Sequence, residues 1–301
     1  MFRLAPAVAA VVVLAAPAAT ARPLPGAPGC PLFPAAFSTN QRVDRLPVAR
    51  NSRAIVRSIG LGDPVHADFG SGRYAGSRIG IPFDVVGART PRSRVRFDYA
   101  SESDRVRYPI PRGVHVEGGS DRHALLVDRD ACRLSELFAL RRTSGGWHAG
   151  SGASWNLRST QLRPKGWTSA DAAGLPILPL LARYDEVRRG RIDHALRVTV
   201  QHTRDAFVLP ARHAASSLTS RSLPRMGERL RLRRSVRIAS FPRQARVVLR
   251  AMREYGLIVA DNGSDWFVSG APNPGWENDQ LHALGRLTGR DFQVVDASSL
   301  R

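Results

Sequence analysis

The residues best equipped for chemistry lie between His115 and Asp128, in the segment HVEGGSDRHALLVD. Alternation places His115 and Glu117 on one face of an expected strand. Gly118-Gly119-Ser120 supply a turn, and Asp121 and His123 share a face at the start of the next strand. Such a hairpin gathers two carboxyls and two imidazoles in a small volume, a set suited to acid–base catalysis or a divalent metal. A tight turn whose polar side chains bond to backbone has the same composition. The spacing fits no standard zinc motif.

A second set is ADNGSDW, residues 260–266, where Asp261 and Asp265 flank Asn262-Gly263 and Trp266 follows. Carboxylates beside an indole suit a sugar site, because the ring face stacks on a pyranose. An indole packed into the core would leave the same sequence, and Trp147, Trp155, Trp167 and Trp276 share that ambiguity. Glu117, Asp121 and Asp261 are therefore the acid–base candidates. His123, His194, Asp265 and Trp266 are candidates for holding a ligand, and His66 and His213 are further histidines that a strand end can bring to a site. No Gly-x-Ser-x-Gly elbow, P-loop, dinucleotide glycine fingerprint or EF-hand loop occurs. No cofactor is expected, and a metal is left open.

Anion binding is the other chemistry on offer. Between Arg229 and Ile238, Leu230, Leu232, Val236 and Ile238 alternate with Arg229, Arg231, Arg233, Ser235 and Arg237. On an extended strand the arginines at 229, 231 and 233 would repeat roughly every 6.8 Å on one face, comparable to charge spacing along a polymer. A solvated outer sheet face would read the same way. Arg234 falls on the apolar side and needs a partner if buried.

The elements that must position these residues read as mainly β. From Val56 onward short apolar runs alternate with Gly/Pro/Asp/Ser clusters: Gly80–Val86, Val95–Tyr99, Ala124–Val127, Leu134–Leu140 and Leu196–Val200. That spacing predicts an antiparallel β-sandwich, jelly-roll-like, or a barrel. Leu175–Tyr184 is apolar but broken by Pro176 and Pro179, which predicts a buried irregular crossing. The C-terminal portion reads β-α-β-β-α-β, an α+β pattern. A strand covers Arg229–Ile238. A helix begins near Phe241-Pro242, carries Ala245, Val248, Leu249, Met252 and Tyr255 inward, and stops at Gly256. A hairpin turns at Asn262-Gly263. A second helix spans about 279–287 and a strand Phe292–Val295 closes the pattern.

Cys30 and Cys132 are the two cysteines. An even count in an exported chain predicts a disulfide tying the N-terminal segment to the middle. Export itself is predicted by residues 1–21: Arg3, the apolar run Val8–Ala16, and Ala19-Thr20-Ala21 before a cut near Ala21. That run is too short to span a bilayer, so no transmembrane anchor is expected and the mature protein is secreted or periplasmic. Residues 22–54 read as an extended lead-in, 55–296 as one β-rich unit, and 228–296 as a possible α+β subdomain. The whole chain carries a formal charge of +20, and Lys165 is its only lysine. Arginine makes forked contacts to carboxylate, phosphate and sulfate. A chain this basic adheres to polyanions. Export and the absence of a nucleic-acid motif argue against a nucleic-acid partner.

Several segments together (HADFG at His66, GIPFDVV at Gly80, EGGSDRHALLVD at Glu117, LPILPLLARYDEV at Leu175, DHALRVTV at Asp193, ARHAAS at Ala211 and ADNGSDWFVSG at Ala260) resemble those of a group of exported bacterial proteins. The resemblance implies one cooperative unit over roughly 55–296. No activity is attached to that group, so no catalytic residue is carried over. The expectation is an exported polysaccharide-active protein, a glycoside hydrolase or polysaccharide lyase. A non-catalytic binder of an anionic glycan or cell-envelope polymer is the alternative.

Overall fold

The computed structural model describes residues 23–300, so the expected signal segment lies outside the described residues. Strand outweighs helix, and the strands form several open sheets. Ten strands build the two larger ones: β1 (His66–Asp68), β2 (Phe83–Val86), β3 (Ala124–Asp128), β4 (Arg133–Phe138), β5 (Ser151–Asn156), β6 (Leu196–Val200), β7 (Arg229–Leu232), β8 (Leu257–Asn262), β9 (Phe267–Ser269) and β10 (Phe292–Val294). The six-stranded sheet has the order β1-β9-β6-β8-β7-β10, and the four-stranded sheet β5-β4-β3-β2. Both are mixed rather than antiparallel. β1 runs parallel to β9, β6 to β8, and β2 to β3. Parallel neighbours require long connections, and alternation along a strand does not encode direction.

Among the described residues four α-helices accompany the sheets: α1 (Ser52–Ile59), α2 (Tyr184–Arg188), α3 (Arg243–Glu254) and α4 (Asn278–His282). α3 forms where its spacing predicts. Ala245, Val248, Leu249 and Met252 are buried, and Arg243 and Arg250 face out. It ends because Gly256 takes φ +80°, and a Cβ there would sit 2.4 Å from the Leu230 carbonyl oxygen. α1 lies across the boundary drawn at residue 54. Its Ile55, Val56 and Ile59 are buried and it packs against β10. The lead-in is not a loose segment. Leu24, Leu32, Phe33 and Phe37 are buried against the core of the four-stranded sheet, and the Cys30–Cys132 disulfide fastens them there. Among the described residues no helix is long and apolar enough to cross a membrane.

The C-terminal order β7-α3-β8-β9-α4-β10 matches the expected β-α-β-β-α-β, but it is not a separate subdomain sheet. β6 inserts between β8 and β9 and pairs with both, so Asn262-Gly263 does not close a two-stranded hairpin. β7 and β8 are antiparallel neighbours, so α3 is not a parallel crossover. The expected strand Arg229–Ile238 ends at Leu232. The proline-broken run is a buried crossing, with a single 3-10 turn at Leu178–Leu180.

Candidate active site

The face of the six-stranded sheet around β1, β9, β6 and β8 carries a row of polar residues. Register pairs Asp68 on β1 directly with Ser269 on β9. Ser269 Oγ accepts from Arg197 Nη1 on β6 at 2.9 Å. Arg197 also donates to Asp261 Oδ2 on β8, at 2.9 Å, from Nη2. A short stretch of irregular chain then delivers Asp171, which takes both remaining bonds of the fork: Nε to Oδ2 at 3.0 Å and Nη2 to Oδ1 at 2.9 Å. Arg197 is 5% exposed and Asp171 fully buried. A planar guanidinium is the one cation that can serve three partners in fixed directions there.

The segment leading into β3 brings the second half of the site. The Glu117 backbone N–H donates to the His123 carbonyl at 2.9 Å, closing the Gly118–Arg122 turn, with Gly119 at φ +80°. The turn sets the Glu117 carboxylate directly against His123 Nδ1, while Nε2 lies 3.0 Å from the Ala170 carbonyl. A carbonyl oxygen only accepts, so Nε2 carries a proton. With Nδ1 facing a carboxylate, His123 is an imidazolium. Burial works against that charge, but the hydrogen bond and charge of Glu117 outweigh it and lift the His123 pKa to about 9. Burial likewise works against the Glu117 carboxylate. His123, then Arg197, hold it below the ordinary range regardless.

Other carboxyls in the network shift the opposite way. Burial, followed by repulsion from Asp171, pushes Asp261 up to about 7 against the pull of Arg197 and His123. Asp68 is open to solvent yet ringed by protein. It is raised by that enclosure and then by the charge of Glu117, with a smaller push from Asp121. Deeper in, Glu136 on β4 accepts backbone N–H bonds from Ile177 and Leu178 at 2.8–3.0 Å, and burial still lifts it to about 8. The site thus contains carboxyls held ionised beside carboxyls poised to keep a proton, the arrangement acid–base chemistry needs.

Asp261 opens onto a cleft of about 240 Å³ that Tyr99, Glu102, Phe138, Ser169 and His213 also line. Phe138, which lines this cleft, lies 5.8 Å between ring centroids from the buried His123. Glu102 accepts from the Thr168 N–H at 2.9 Å, and its Oε2 lies 3.8 Å from His213 Nε2.

The remaining sequence candidates lie elsewhere. Asp121 is exposed; its carboxylate accepts from Ser120 Oγ at 3.1 Å and its backbone carbonyl from the Ala139 N–H at 2.7 Å. His115 turns away from Glu117 and bonds Asp84 at 2.6 Å. His194 is 1% exposed, between Glu186 and the Ala195 carbonyl, and serves the core beside α2. Asp265 accepts from the Gln201 N–H at 2.7 Å and closes the loop after β8. Trp266 is fully buried, stacked on Phe292, its Nε1 donating to the Gly60 carbonyl at 3.0 Å; it is a core anchor and not a sugar platform.

The arginine stripe is corrected as well. β7 is an inner strand, and residues 38–46 cover its polar side. Arg229 is buried and donates to the Tyr255 and Ser38 carbonyls, and Arg231 to those of Val43 and Leu46. No acidic partner pairs with it among the described residues, and burial pushes Arg229 down to about 10. Arg233 lies past the strand end and donates to the Arg290 and Phe292 carbonyls. Arg234 stays exposed and reaches the Asp44 carbonyl.

Asp68, Asp171, Arg197, Glu136 and Glu102 are absent from the sequence candidates. The available signal was the charged Arg197 in a fully buried strand, LRVTV. Among the described residues no group of three or more His, Cys, Asp or Glu converges as a metal would require. No family model matches the chain, and neither curated proteins nor solved structures offer a match.

Proposed function

We propose that this protein is an exported polysaccharide-active enzyme, a glycoside hydrolase or polysaccharide lyase, working by carboxylate acid–base chemistry around Arg197. The observation that carries this reading is the arrangement around Arg197: Asp261 accepts from Arg197, opens onto the cleft and is pushed up to about 7, while Glu117, within the field of Arg197, is set against His123, which holds it down. In this reading Glu117 is the base or nucleophile and Asp261 the acid that protonates the leaving oxygen. Asp68, raised by enclosure in the protein and then by the charge of Glu117, is the second proton reservoir at the solvent side. Arg197 and Asp171 position Asp261. The two larger sheets act as layers of a sandwich that hold the network between them. Export is supported by the sequence pattern of residues 1–21, by the resemblance to exported proteins and by the disulfide.

The test is turnover by the purified protein on a panel of neutral and acidic polysaccharides. New reducing ends report hydrolysis and unsaturated ends report elimination. Glu117→Gln and Asp261→Asn should each lower turnover by about 10²–10⁴-fold without loss of fold. Parent-like turnover in both variants would remove these roles.

A further inference from the structure

The segment between Arg94 and Tyr108 has two sides. One contributes Tyr99 and Glu102 to the cleft that Asp261 opens onto. The other contributes Arg94, Val95, Arg96, Phe97, Ala100, Arg105, Val106 and Arg107 to a neighbouring groove of about 670 Å³. That volume falls inside the roughly 300–1,000 Å³ usual for ligand sites. Its lining holds four arginines and no acid.

Those guanidiniums are largely uncommitted. Arg94, Arg105 and Arg107 make no hydrogen bond or ion pair among the described residues. Arg96 gives one bond, to the Gly145 carbonyl at 2.7 Å. All four are exposed. The acids nearest in sequence are engaged elsewhere. Asp98 lies 3.1 Å from His148 Nε2, and Asp104 pairs with Arg163 at 2.7 Å. Four like charges facing one groove without counter-charge repel one another and concentrate anions there. Arg94 and Arg96 are two apart along the Val95–Phe97 strand and so span roughly 6.8 Å. Arg105 and Arg107 flank a bend at Val106, whose N–H donates to the Asp104 carbonyl at 2.9 Å. Four guanidiniums distributed along one groove suit charges spaced along a polymer better than one small anion.

We infer that the groove of Arg94, Arg96, Arg105 and Arg107 binds a linear acidic polysaccharide and leads it to the adjoining cleft. The identity of the polymer as a polysaccharide rests on the function proposed above; the anion site stands on the arginines alone. Carboxylated and sulfated sugars offer planar or tripodal oxygens that accept from a guanidinium fork. A single-stranded nucleic acid needs exposed rings for base stacking. Phe97, the one aromatic ring lining the groove, is half-buried and packs edge-on against Tyr108, 5.7 Å between centroids.

The experiment uses the full chain in two charge-matched variants. One replaces Arg94, Arg96, Arg105 and Arg107 with Gln. The other replaces Arg53, Arg57, Arg243 and Arg250, exposed on α1 and α3, with Gln. Binding to polygalacturonate, dextran sulfate, neutral dextran and a single-stranded oligonucleotide is measured by titration across a salt series. At about a factor of 2–3 for each exposed charge contact, the groove variant should bind acidic polysaccharide about 15–80-fold more weakly. Its salt dependence should flatten, because fewer counterions are released. The helix variant should stay within a few-fold of the parent, and neutral dextran should not bind. Polygalacturonate against dextran sulfate tells carboxylate from sulfate as the preferred group. Equal losses in both variants would overturn the site, because net charge alone would then explain binding. Tighter groove-dependent binding of the oligonucleotide than of either acidic polysaccharide would overturn the polymer class. Groove-specific binding without turnover of any polysaccharide would sink the enzymatic reading and leave this one standing.

Discussion

Removing the guanidinium of Arg197 is the perturbation with the largest worked consequence. In Arg197→Met the stem still packs, but Asp171 loses both of its side-chain hydrogen bonds, and it is fully buried. Breaking a buried pair from one side costs about 3–5 kcal/mol, because an uncompensated charge remains. For a chain of this length that corresponds to a fall in Tm of about 6–20 °C. Asp261 loses its hydrogen-bonded cation too, so its pKa should climb above about 7. The assay is chemical denaturation of the parent, Arg197→Met, Asp171→Asn and the double variant. The double variant should recover part of the loss, with a coupling of about 1–3 kcal/mol. A single variant within about 1 kcal/mol of the parent, or costs that simply add, would refute the view that Asp171 and Arg197 form one interdependent charge pair.

Other consequences are more local. Glu136 has a folded pKa of about 8 against an ordinary 4.5, so the folded state keeps a proton that the unfolded chain releases. Its contribution to stability is therefore full below about pH 4.5 and is lost as pH rises toward 8, at up to about 1.4 kcal/mol per pH unit. Glu136→Gln should flatten that slope in denaturation midpoints measured across pH, and an unchanged slope would count against a proton on Glu136. Reducing the Cys30–Cys132 bridge opens a constraint across 102 residues and should cost up to about 4–5 kcal/mol. Two alkylatable thiols in the unfolded, non-reduced protein would show that the bridge is not made. Trp266→Ala should destabilise by about 3–5 kcal/mol as a core truncation. A variant that keeps its Tm but loses sugar binding would return Trp266 to the stacking role.

How much of this was legible depended on sequence distance. α3 was readable because its apolar spacing, its start and Gly256 all lie within 15 residues. Glu117 and His123 were readable as neighbours because one turn separates them. The hairpin at Asn262-Gly263 was misread because β6, about 60 residues earlier in the chain, arrives between the two strands. The arginine alternation of β7 was correctly extended but wrongly exposed. Alternation separates two faces and says nothing of what covers each, and here residues 38–46 cover the polar one. Asp68, Ser269 and Arg197 come from three distant segments that the register of β1, β9 and β6 brings together, and irregular chain far from all three adds Asp171. The uncommitted groove arginines were indistinguishable in sequence from those spent on backbone carbonyls.

The pH dependence of turnover tests the central claim most directly. Reducing-end and unsaturated-end formation would be followed on the polysaccharide panel for the parent, Glu117→Gln and Asp261→Asn. The parent should give a bell-shaped profile. Its alkaline limb lies near pH 7, where Asp261 gives up its proton, and its acid limb lies below the ordinary glutamate range, where Glu117 gains one. Asp261→Asn should abolish the alkaline limb along with most of the rate. A profile flat across that range, or an alkaline limb retained in Asp261→Asn, would contradict it.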